Sequence, residues 1–184
     1  MKVCWVISED IPKGFIDPKI IKDTAPAWGS WKTWKEYKID NCVCTSTSEV
    51  KSLIGRAFHA VCNFYILQES YIKVGSPVGV KLFNGQFKGS HIANKDDLVT
   101  LNLVAAYNDI VLMSGFNFSP ILNTDDGATQ TARKEYYFNI RELMKTHNST
   151  QFVLVDYVYE LASWAKELDN LTMDTIDSVR SLLS

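Results

Sequence analysis

The 184-residue chain is 46% hydrophobic and 22% charged, with a formal net charge of -2, a composition that fits one globular domain and fits neither a disordered chain nor a membrane-embedded one. A domain of this length buries roughly 70% of the surface its unfolded chain exposes, so it can hold a core without disulfide or metal staples. Acidic and basic residues are interleaved and supply no electropositive field for nucleic acid. The apolar run before Glu9 is too short for a signal peptide or a bilayer span, so a cytosolic protein with neither a nucleic-acid nor a membrane partner is expected.

The first run, "KVCWVI" at residues 2–7, is rich in strand formers and stops at Ser8, Glu9 and Asp10, which reads as a buried strand with a polar end. In "WGSWKTW" the indoles of Trp28, Trp31 and Trp34 recur every third residue. A helical turn would align them on one face and a strand would split them, leaving a stacking platform, an interface anchor or a plug for the sheet edge as alternatives. "NCVCTS" at 41–46 is a second strand. It runs into Ser46 and Glu49 at capping-box spacing, then a helical stripe of Val50, Leu53, Ile54, Ala57, Val61 and Tyr65.

"VGVKLFNGQFKG" sets Asn84-Gly85 between two alternating segments, the pattern of a tight hairpin whose central residues need positive φ. "NKDDLVTLNLVAAY" predicts a helix with Asn94 at its cap and Asp96 and Asp97 in the first turn, where the helix dipole favours acids. It feeds a strand over 108–118 that breaks at Gly115. "TARKEYYFNIRELMKT" predicts another helix, "QFVLVD" at 151–156 another buried strand, and 157–168 and 173–183 two closing amphipathic pieces.

Strands alternating with helices predict a single α/β domain over 1–184, Rossmann-like and three-layered, with a mainly parallel sheet and a protruding β-hairpin. In such sheets ligands bind beyond the carboxyl ends of the strands. The polar strand ends are therefore the candidate ligand-binding positions: Ser8 and Asp10, Ser46 and Ser48, Ser114, Gly115 and Asn117, and Asp156. The hydroxyl cluster around Ser46 and Ser48 could hold an anion or simply cap its helix, and Asn117 could meet a ligand or satisfy its own loop. Neither a Walker motif nor G-x-G-x-x-G occurs, so a nucleotide would need another arrangement. Cys4, Cys42, Cys44 and Cys62 lie in apolar segments and read as buried free thiols. The scattered His59, His91 and His147 have no ligand or triad spacing, so no metal is expected; His91, near the hairpin, is the better candidate for chemistry.

The run "NKDDLVTLNLVAAYNDIVLMSGFNF" resembles the helix-to-strand unit of bacterial sialyltransferases and the related MptE-like proteins. That likeness implies a nucleotide-sugar pocket beside Ser114, Gly115 and Asn117. Asn117 stands where the family has Asp, and the loop that follows holds no His. Over nearly its whole length, through "WGSWKTW", "FHAVCNFYI", "GVKLFNGQFKG", "DIVLMSGFNF" and "LDNLTMDTIDSVRSLL", the chain resembles a family of uncharacterised proteins of large tailed phages of marine bacteria. This implies a phage origin, in the virion or the infected host's cytoplasm; no activity follows from it.

Two functions are therefore expected as alternatives. One is a noncatalytic structural or interaction protein, with Trp28, Trp31 and Trp34 facing phage proteins or a second copy. The other is a small glycosyltransferase-like enzyme on a nucleotide-activated sugar, with His91 or Asp97 as base.

Overall fold

The computed structural model describes residues 1–46, 48, 62–67, 80–83 and 95–183. The strands are β1 Val3–Ile7, β2 Ala27–Ser30, β3 Asn41–Cys44, β4 Asn63–Leu67, β5 Val80–Phe83, β6 Ile110–Ser114, β7 Gln151–Val155 and β8 Leu171–Asp174. They form one eight-stranded sheet in the order β5-β4-β3-β2-β1-β6-β7-β8, parallel at every pairing. The described helices are α1 Pro18–Thr24, α2 Trp31–Tyr37, α3 Lys95–Ala105, α4 Gly127–Thr146, α5 Ser163–Lys166 and α6 Ile176–Leu183. This is the Rossmann-like three-layer α/β architecture that the alternating pattern predicts.

Strand alternation divides the core in two. Trp5, Ile7, Leu112, Val153 and Val155 point to one face, where they meet Ile21 of α1, Trp31, Trp34 and Tyr37 of α2 and Val179 of α6. Cys4, Val6, Val111, Met113, Phe152 and Leu154 point to the other, against α3, α4 and α5. Because both faces are covered, β1, β6 and β7 are buried along almost their whole length, which is why they read as continuous apolar runs. α3 buries residues on every side, Asp96 and Asp97 included, and packs across β1, β2, β3 and β6.

Local chemistry sets the helix starts. Asp17 accepts a hydrogen bond from the Lys19 amide at 2.9 Å, with Pro18 opening α1. Asp126 accepts from the amides of Ala128 and Thr129 at 3.0 and 2.9 Å to start α4. These are the N-cap bonds that satisfy donors no helix can satisfy internally. Among the described residues no helix is long and apolar enough to cross a membrane.

Several expectations change. Tyr65 lies in β4, not in a helical stripe; the helix expected over 49–65 falls on residues that, up to Val61, lie outside those described. Of 157–168 only Ser163–Lys166 is helical, and the final piece begins as strand β8 before α6. Trp28 belongs to β2 while Trp31 and Trp34 belong to α2, so the chain turns from strand to helix inside "WGSWKTW". Val80–Phe83, the first arm of the expected hairpin, pairs in parallel with β4; Asn84-Gly85 and the second arm lie outside the described residues.

Candidate ligand cleft at the carboxyl edge of the sheet

From β1 the chain works outward to β5, then returns to lay β6 against the other side of β1. The two halves part at the β1–β6 pair, and in open α/β sheets the crevice beyond the carboxyl ends at that point is where ligands bind. Ile7 is in register with Ser114 there, and the Ser8 amide donates to the Ser114 carbonyl at 2.9 Å.

A cleft of about 180 Å³ opens above these ends, with Asp10, Phe15, Gly115, Asn117, Asp156 and Tyr159 among its lining residues. Gly115 takes φ +79, and a Cβ there would lie 2.5 Å from the Ile11 Cβ and 2.7 Å from its Cα. The break in "IVLMSG" is thus a backbone requirement. Only glycine lets the strand turn with the β1 loop packed against it.

The wall formed by 115–126 is fixed by its own bonds. The Asn117 Oδ1 accepts from the Ser119 amide at 3.0 Å, so this side chain closes a turn in its own loop. The Phe118 amide donates to the Tyr157 hydroxyl at 3.1 Å, and burial holds that phenol above its ordinary pKa. Arg133 of α4 donates to the Ser119 carbonyl and to the Tyr137 hydroxyl at 3.2 and 2.7 Å and pairs with Asp125 at 3.3 Å. Just beyond β7, Asp156 takes φ 52, and its Oδ1 accepts from the Ile176 amide at 3.1 Å at the start of α6.

The other rim positions sit elsewhere. Ser8 is buried and donates to the Asp97 Oδ2 at 2.5 Å, while the Glu9 amide donates to the Asp97 Oδ1 at 3.1 Å. Asp97 is 1% exposed. Burial pushes its carboxyl well above the usual range, the two hydrogen bonds oppose the shift, and the charges of Glu9 and Asp10 add to it. Tyr136 of α4 is raised too, by burial first and then by Asp97. Both oxygens of Asp97 are engaged in holding the β1 loop on α3, away from the cleft. Asp96 beside it accepts a hydrogen bond from the Thr45 hydroxyl.

Ser46 and Ser48 share a hydrogen bond of 3.2 Å at the end of β3, two strands from β1. Ser114 is 1% exposed, and its hydroxyl has no hydrogen-bond partner among the described residues. The cleft therefore unites Asp10, Gly115, Asn117 and Asp156, with Ser8 and Ser114 buried beneath the strand ends and Ser46 and Ser48 apart. His91 lies outside the described residues. Trp31 and Trp34 are 6% and 9% exposed and stack at 5.1 Å inside the fold; Trp28 is half-buried, its ring 4.6 Å from that of Tyr65. Phe15 and the Tyr157–Tyr159 pair carried no signal that sequence reasoning used, because their grouping depends on which strand ends are neighbours.

All four cysteines are buried and none forms a disulfide. Burial lifts Cys4 and Cys62 to about 12, so these thiols stay protonated. No known family profile matches the chain, no curated protein sequence resembles it significantly, and no solved structure does.

Proposed function

We propose that the chain is a noncatalytic interaction protein of a phage, a component of the particle or of its assembly, built on a nucleotide-binding-type scaffold. One observation carries this reading: Asp97, Asn117 and one oxygen of Asp156, all near the sheet's carboxyl edge, serve the fold. Asp97 ties the β1 loop to α3, Asn117 closes its own loop and Asp156 caps α6. The cleft offers two carboxylates, and among the described lining residues there is no Lys, Arg or His to meet a phosphate. Mass spectrometry of purified particles of the encoding phage tests it. Stoichiometric copies of the chain are the expected result for a particle component, and absence from particles at every assembly stage overturns the reading.

A second reading, a small glycosyltransferase-like enzyme, is favoured by the place of the cleft at the point where the two halves of the sheet part. A bound nucleotide-sugar at a hundredfold excess over Kd would add about 2.7 kcal/mol of stability. Melting against a panel of nucleotides and nucleotide-sugars is expected to show no shift. A shift that Asn117→Ala abolishes would establish the second reading over the first.

A further inference from the structure

We infer that the cleft between the ends of β1, β6 and β7 receives an arginine side chain from a partner protein. The inference rests on the interaction reading above and gives that interaction its chemistry.

Two carboxylates, Asp10 and Asp156, share the cleft with four aromatic rings, Phe15, Phe116, Tyr157 and Tyr159. A guanidinium is the group this combination recognises: its planar fork pairs with carboxylates, its flat face stacks on aromatic rings, and it gives up its hydration more readily than an ammonium. Two of the rings are open to solvent, while Phe116 is buried. Phe15 is 37% exposed and Tyr159 61% exposed, and Tyr157 and Tyr159 stand edge to face at 5.7 Å; all three line the cleft. Val158, next to Tyr159 and also lining the cleft, is 77% exposed.

The wall is preorganised. Tyr157 is held through the Phe118 amide and the 115–126 loop through Arg133, so an entering side chain orders little of the protein. Asp156 keeps one oxygen on the Ile176 amide, which fixes the carboxylate and leaves the second oxygen for a guanidinium.

The test is an NMR titration of the full isotope-labelled chain with N-acetyl-arginine amide. The equivalent lysine and citrulline amides, free arginine and uridine monophosphate serve as comparison probes. The arginine amide is expected to bind with a Kd of about 1 mM, the range open to so small a ligand. It should perturb the amides of Gly115, Asn117 and 155–159. Lysine amide should bind several-fold more weakly and the uncharged citrulline amide not measurably. Asp156→Asn should weaken arginine binding several-fold while leaving the rest of the spectrum in place, because asparagine keeps the left-handed backbone and the amide acceptor at 156.

Citrulline binding as well as arginine, perturbations confined to another surface, or no perturbation would overturn the inference. So would free arginine binding tenfold tighter than its amide, which would mark a metabolite site, or the nucleotide taking the same cleft. Except for nucleotide in the cleft, which would favour the enzyme reading, none of these outcomes bears on whether the chain is found in particles, so the two ideas fail separately.

Discussion

At the end of β1 the carboxylate of Asp97 is closed in by the Ser8 hydroxyl and the Glu9 amide and is 1% exposed. At the end of β7 the carboxylate of Asp156 caps a helix with one oxygen and stands in a cleft. The two acids lie at the same edge of one sheet and differ in what covers them. α3 lies across β1, β2 and β3 and shuts the first site, whereas the loops after β6 and β7 line the second and leave it open. The difference separates a group that secures the fold from one able to meet a partner, and substitutions can probe each side of it.

The largest effect is expected where the two regions join. Gly115 packs on Ile11, three residues beyond Ser8, and also lines the cleft. Gly115→Ala adds a left-handed residue and a Cβ in contact with backbone, together costing about 2 to 5 kcal/mol. Thermal melting should show this loss. A variant as stable as the parent would mean that the two regions are not mechanically joined at Gly115.

Next comes the closed site. Asp97→Ala leaves the Glu9 amide without its acceptor and is expected to cost about 1 to 3 kcal/mol. Asp97→Asn keeps an acceptor for that amide and removes a charge that burial disfavours. The folded carboxyl holds its proton to higher pH than the unfolded one, so the native state binds more protons and stability falls as pH rises from about 4 toward the raised folded value. Asp97→Asn should flatten that fall, and denaturant unfolding of both proteins across this range measures it. An identical slope in the two would show that Asp97 does not titrate with folding.

Much of the frame is legible in the chain itself. β1, β3, β6 and β7 are buried apolar runs that punctuation residues end, and α4 carries its periodicity through Tyr136, Ile140 and Leu143. β2 and β8 are hidden because each is four residues long and mixes small or polar residues into its run, "AWGS" and "LTMD"; what makes them strands is pairing with a neighbour. Tyr65 fits a helical stripe by spacing alone, and β4 takes it because β3 supplies a parallel edge. At the site, Gly115, Asn117 and Asp156 are visible as polar strand ends. The burial of Asp97 is not, since a first-turn acid looks the same on an exposed helix as on one crossing a sheet. The cleft itself depends on β6 returning beside β1, and no local pattern records that.

The smallest effects belong to the open side and give the sharpest test of the comparison. Asp156 combines a left-handed backbone with a bond to the Ile176 amide, so Asp156→Ala loses both the tolerance for that conformation and the cap, about 1 to 2 kcal/mol in all. Asparagine retains both, and Asp156→Asn should melt within about 0.5 kcal/mol of the parent. If the negative charge at 156 serves binding and not the fold, only asparagine separates the two roles: it removes the charge, spares the backbone and leaves the cap in place. A destabilisation by Asp156→Asn as large as that by Asp156→Ala would mean that the charge itself holds α6 to the end of β7. Asp156 would then join Asp97 as an acid committed to the fold, and the contrast between the two sites would disappear.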